Sequence, residues 1–162
     1  MQIDLQAIDL PDDSVDVLLT PHVLEHVPDT DRALDEIKRV LAPGGRMYLQ
    51  VPVLQGATAP PVEPEFHGDD TPVFWRFGPD LTRRLRDHGF TTTLLCTQPW
   101  LDLVDRGATS WPSETSAEFD VDSLLAGTIA DDLTSVATTE QGEHRGFLPA
   151  YMFLTWECLA PS

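Results

Sequence analysis

Basic residues are what this sequence has least of. Lys38 is its single lysine, and 10 basic residues face 27 acidic ones for a formal net charge of −17. Such a surface repels the phosphates of nucleic acid and of anionic membranes, so neither is expected as a partner. Cysteine is scarce too. Cys96 and Cys158 stand in apolar, strand-like contexts without CxxC spacing, which excludes a disulfide framework and points to buried free thiols in a reducing compartment. No stretch approaches the ~20 apolar residues that span a bilayer. The first residues also lack the basic-then-apolar order of a signal peptide. The expectation is a soluble, cytoplasmic protein.

The acidity has two readings. It complements a basic partner, or it keeps the chain solvated in high salt, where self-repulsion is screened. The acids are spread along the chain and not gathered in a tail, and lysine is scarce while Asp and Thr are plentiful. The halophilic reading is favoured.

At 162 residues the chain suits one domain with a real core. Val15 to Thr20 is a β-branched, apolar run that fits a strand buried on both faces, after the turn residues Asp12-Asp13-Ser14. A helix follows Pro28, capped by Asp29 or Thr30, with Ala33, Leu34, Ile37, Val40 and Leu41 on one apolar face. Pro43-Gly44-Gly45 ends it. Met47 to Val51 reads as a second strand. Residues 53–78 show no periodicity, the signature of a long loop or lid. A second helix begins near Pro79-Asp80, turns Leu81 and Leu85 inward and closes at His88-Gly89; Phe90 to Thr97 reads as a third strand. Within residues 100–146 a helix is expected from Val121 to Leu133, and Tyr151 to Leu159 suits a strand in mid-sheet. Alternating strands and helices imply an α/β fold with a mostly parallel sheet.

Three motifs carry a family resemblance. Leu10-Pro11-Asp12-Asp13-Ser14-Val15-Asp16 resembles the lead-in to the fourth strand of class I S-adenosylmethionine-dependent methyltransferases of the small-molecule type. His22-Val23-Leu24-Glu25-His26-Val27 is similar to their "VLEH" segment, and Arg39-Val40-Leu41-Ala42-Pro43-Gly44-Gly45 to their "RVLKPGG" helix end. More weakly, His67, Trp75-Arg76-Phe77-Gly78 and Leu81 through Phe90 resemble the tract before the sixth strand. The resemblance implies a partial Rossmann-like fold, residues 1–162 supplying the 4-5-7-6 side of a 3-2-1-4-5-7-6 sheet as one truncated domain.

It also implies S-adenosylmethionine as cofactor, with Asp9 and Leu10 near its adenine edge and Pro21 and His22 near its methyl-bearing centre. Yet no Gly-x-Gly turn occurs in the sequence, and the strand bearing the ribose-binding acid is missing with it. The chain alone is therefore not expected to hold the cofactor.

His22 is a candidate general base, because residues just past a strand's carboxyl end line the crevice of an open α/β sheet. His67 is a second candidate, facing substrate from the long loop or simply solvated. Glu25 and His26 are read as shaping the turn. His22, Glu25 and His26 also satisfy H-x-x-E-H, but that zinc chemistry needs both histidines on one helical face, and Pro28 follows at once, so no metal is expected. Arg76 reads as an ordinary salt bridge before a substrate clamp. Trp75, Trp100, Trp111 and Phe119 are pocket candidates of which at least half should be core. Gly44-Gly45 is no phosphate loop, since it ends a helix and lacks the Lys-Ser/Thr that follows one.

Without its usual neighbour, Val15 to Thr20 becomes an exposed edge, a liability covered by self-association (a homodimer) or by a partner chain. Two functions follow. The first is methyl transfer to a small molecule, active only when another chain supplies the missing half. The alternative is a cofactor-independent protein that binds a small ligand or partner through the remaining crevice.

Overall fold

The computed structural model describes residues 3–53, 57–78, 80–96, 133–135 and 155–162. Their elements are β1 (Val15–Pro21), α1 (Thr30–Val40), β2 (Leu41–Gln50), β3 (Glu65–Phe66), β4 (Pro72–Val73), α2 (Leu81–Asp87), β5 (Thr91–Cys96), β6 (Leu133–Ser135) and β7 (Thr155–Leu159). One sheet runs β1-β2-β7-β5-β6 and a two-residue hairpin pairs β3 with β4. β1 pairs with β2, and β5 with β6, in parallel; β7 runs antiparallel between β2 and β5. Every strand of the large sheet except β7 therefore points the same way.

α1 forms as its pattern dictates. The Asp29 side chain accepts from the Arg32 amide at 3.0 Å, Asp31 lies in the positive first turn, and Lys38 and Arg39 lie in the last. Ala33, Leu34, Ile37 and Val40 are buried. Helix gives way to strand without a gap: Leu41 already pairs with Val15, the chain loops out, and pairing resumes at Arg46 opposite Val17. The loop needs its glycines. Gly44 has φ +72°, and a Cβ on Gly45 would sit 2.8 Å from the Ala42 carbonyl oxygen.

Register and burial separate the sheet's two faces. Thr20, Met47, Leu49, Trp156, Cys158, Thr92 and Leu94 share one face and are all buried with α1 and α2. Val17, Leu19, Arg46, Tyr48 and Glu157 share the other. There Leu19 is 70% exposed, and Tyr48 Oη donates to Glu157 Oε1 at 2.8 Å beside Arg46.

Several expectations need adjusting. The Val15–Thr20 run is an edge strand of the described sheet, exposed on one face and not buried on both. Within the long loop of residues 53–78 the described residues include the β3–β4 hairpin, Val53 bridges Phe77, Ala59 bridges Arg76, and Val53, Val73 and Phe77 are core. Leu133, expected at the end of a helix, begins β6. The remainder of that helix, Pro79, Thr97 and residues 151–154 lie outside the described residues.

Candidate functional site

β1 ends where an open α/β sheet presents its crevice. His22, the next residue, has φ +51°, a left-handed conformation that a side chain rarely adopts, and its amide donates to the Gln50 carbonyl at 2.7 Å. This kink drives the chain into a 3-10 turn, Leu24–His26. Leu24 is fully buried there, and Glu25 next to it is drawn inside with only 2% exposure. The Glu25 carbonyl accepts from the Phe74 and Trp75 amides at 2.8 and 3.2 Å, tying the turn to the strap after β4.

The Glu25 carboxylate is a different matter. Among the described residues neither oxygen has a hydrogen-bond partner. His22 Nδ1 lies 3.6 Å and His26 Nε2 3.9 Å from Oε1, both beyond hydrogen-bond reach. A carboxylate so placed costs several kcal/mol unless a cation compensates it. His26 Nδ1 donates to the Pro72 carbonyl at 2.7 Å, which leaves Nε2 towards Glu25. The His67 ring meets the His26 ring edge-on, centroids 4.6 Å apart. Among the described residues, no group of three or more His, Cys, Asp or Glu could hold a metal ion.

Beside this cluster lies a cleft of about 600 Å³ between the segment Ile3–Gln6 and the stretch Val23–Pro28, with His26 in its wall. Gln6 fixes the outer wall: its side chain accepts from the Asp29 amide, and its carbonyl accepts from Arg32 Nε at 2.8 Å.

Pro21 and His22 stand together at the carboxyl end of β1, and His67 joins them through His26. Asp9 and Leu10 do not. Arg39 donates to the Ile8 and Leu10 carbonyls, to Asp12 and to both Glu36 oxygens, holding that loop against the end of α1. From Arg32, which holds Gln6, to Arg39 is about 10 Å of helix. Asp9 and Leu10 consequently sit near the amino end of β1, ~20 Å of strand away from His22, and outside the cleft's lining. Their place near an adenine edge stays an expectation; the cleft beside His26 is lined instead by Ile3 to Gln6.

Arg76 pairs with Glu65 at 2.8 Å. Trp75 packs on the core, donates Nε1–H to the Pro28 carbonyl and carries the Arg84 guanidinium 5.5 Å above its ring. Trp100, Trp111 and Phe119 lie outside the described residues. The burial of Glu25 is the feature with the faintest trace in the sequence. The available signal was a carboxylate set among Val23, Leu24 and Val27 directly after a strand.

Comparison with known proteins bears on the fold. Residues 1–49 match a family model described as a methyltransferase domain. An uncharacterized 37.1 kDa protein in transposon TN4556 of Streptomyces fradiae is 45% identical over 49 residues, 30% of this chain and 14% of that protein. An S-adenosylmethionine-dependent methyltransferase from Mesorhizobium loti superposes with TM-score 0.51 at 15% identity, over 98% of this chain and 68% of its own. The Burkholderia thailandensis 1,6-didemethyltoxoflavin-N1-methyltransferase, solved with 1,6-didemethyltoxoflavin and S-adenosylhomocysteine, gives TM-score 0.50 at 15% identity over 98% of this chain. The fold is α/β and Rossmann-like, as in these methyltransferases. The chain spans about half (48%) of the Burkholderia enzyme and matches a smaller share still of the Streptomyces protein. No described helix is long and apolar enough to cross a membrane.

Proposed function

We propose that this chain is the acceptor-side part of an S-adenosylmethionine-dependent methyltransferase acting on a small molecule, completed by polypeptide that pairs with β1. One observation carries the reading: among the described residues β1 is a sheet edge, with Val17 54% and Leu19 70% exposed, and it leads directly into the strained His22 and buried Glu25. An apolar edge feeding a crevice is what remains when a neighbouring strand belongs elsewhere.

The residues present fit one end of the cofactor. The apolar walls Leu5 and Val23 and the Asp4 carboxylate suit the flat, amine-bearing edge of a purine. The sequence has no Gly-x-Gly turn for the methionine end. When bound, S-adenosylmethionine brings a methyl group on a sulfonium, so alignment is the main demand on the protein. Pro21 and His22 border the reacting centre, His22 takes a proton from the acceptor, and His67 faces it from the turn between β3 and β4. Leu19 and Val17 are covered by a second copy of the chain or by the polypeptide bearing the missing turn, and only the latter gives activity. The charge of −17 suits a protein that works dissolved in a concentrated-salt cytoplasm.

Calorimetry with S-adenosylmethionine in high salt tests this. The chain alone should bind weakly or not at all, and it should bind once a strand–Gly-x-Gly–helix polypeptide is added. Tight binding by the chain alone, or none by the completed assembly, overturns the proposal. Light scattering of the chain at micromolar concentration tests the second copy, which a monomer rules out.

A further inference from the structure

We infer that Glu25 is a positioning residue for His22, a buried carboxylate that holds the imidazole with Nδ1 inward so that Nε2 receives the proton of an acceptor bearing an N–H or O–H group. This rests on the methyl-transfer reading and goes beyond it by naming the acceptor class and the residue behind the base.

Three observations converge. Glu25 has both oxygens buried and unpartnered in a turn where an apolar side chain would pack at no electrostatic cost. His22 Nδ1 is 3.6 Å from Oε1, one small side-chain adjustment from a hydrogen bond. The His22 backbone is held in a left-handed conformation at the carboxyl end of β1, where strain accompanies function more often than chance.

The neighbouring imidazoles make different contacts. His26 commits Nδ1 to the Pro72 carbonyl and turns Nε2 to the same Glu25 oxygen, so both its nitrogens point into the protein. His67 packs edge-on against His26. His22 is the one that combines contact with Glu25 and a side chain 36% exposed.

The acceptor's heteroatom forms a bond to the methyl carbon with a lone pair, and the carbon–sulfur bond breaks with its electrons remaining on sulfur. The acceptor's X–H bond gives its electron pair back to the heteroatom and its proton to His22 Nε2. The resulting imidazolium is then paired with the Glu25 carboxylate. This is the division of labour by which a buried acid orients a histidine base.

The test reads the His22 tautomer by two-bond proton–nitrogen NMR on the chain alone, at alkaline pH. Free imidazole side chains favour Nε2–H, whereas the proposal expects Nδ1–H in the wild type and a return to Nε2–H in Glu25→Met. A wild-type His22 in the Nε2–H form, or a tautomer indifferent to Glu25→Met, overturns it. Should that variant not fold, the wild-type tautomer alone decides. In the completed assembly Glu25→Met should lower kcat about 100-fold with little change in KM. An inactive wild-type assembly with the expected tautomer would sink the methyl-transfer reading and leave the positioning role intact.

Discussion

Trp156 and Glu25 are buried to the same degree, yet their surroundings are opposites. Trp156 lies mid-sheet on β7, fully covered, with its Nε1–H donated to Thr82 Oγ1 at 2.9 Å. Cys158, two residues on, sits on the same face, and burial pushes its thiol up to about 12. Around the carboxyl end of β1 little is satisfied: Thr20 Oγ1 and both Glu25 oxygens lack partners, His22 is strained, and Leu19 faces outward. The centre of the sheet uses its residues for stability. The β1 end breaks those rules several times between Leu19 and Glu25, the kind of departure that marks a candidate functional site.

The largest effect should come from the satisfied side. Trp156→Ala removes the biggest core side chain and leaves Thr82 Oγ1 without its donor, so it should destabilise by about 3–5 kcal/mol in denaturant unfolding. A loss below about 1 kcal/mol would mean that β7 is not the centre of the core.

On the unsatisfied side the sign reverses. Glu25→Met replaces a buried carboxyl without hydrogen bonds by an apolar side chain of similar length and should stabilise the chain by about 1–3 kcal/mol. A comparable loss would show that Glu25 is structural after all and erase the contrast between the two regions.

A third effect belongs to the amino end of β1. The Arg39 hydrogen bonds to Glu36 hold that carboxyl down from 4.5 to about 2, helped by the Ile8 amide. A depressed folded-state value contributes stability above the unfolded value and loses it as pH falls. The Glu36 contribution should therefore be whole above pH 4.5 and disappear towards pH 2. Acid unfolding of Glu36→Gln against wild type measures it: the two curves should converge across that window. Parallel curves would mean that the loop from Ile8 to Asp12 is not held by Arg39 in solution.

These contrasts were unevenly legible beforehand. The face of α1 and the glycines before the second half of β2 follow from period and turn chemistry, both local. The β3–β4 hairpin escaped notice because two-residue strands carry no alternation, and β6 because three residues carry hardly more. The place of Asp9 and Leu10 depended on the reach of Arg39, 29 residues beyond Leu10, which no local pattern encodes. His22 could be placed from the end of its strand. The orphaned state of Glu25 could not, since it depends on how Leu24 and the strap around Phe74 bury the turn between them.

The smallest effect on stability concerns the open face. Leu19→Ser removes an exposed methyl-rich side chain from a position that touches little in this chain, so unfolding of the isolated chain should change by less than about 0.5 kcal/mol. The same change should weaken whatever covers β1. Its side chain shares a face with Val17, and together they are the apolar surface that a paired strand and its helix would bury. Unfolding free energy and assembly, measured on one sample, therefore give independent answers. If Leu19→Ser leaves stability alone and reduces association, the edge is an interface. If it costs as much as a core substitution, Leu19 is packed in solution, and β1 belongs with Trp156 on the satisfied side.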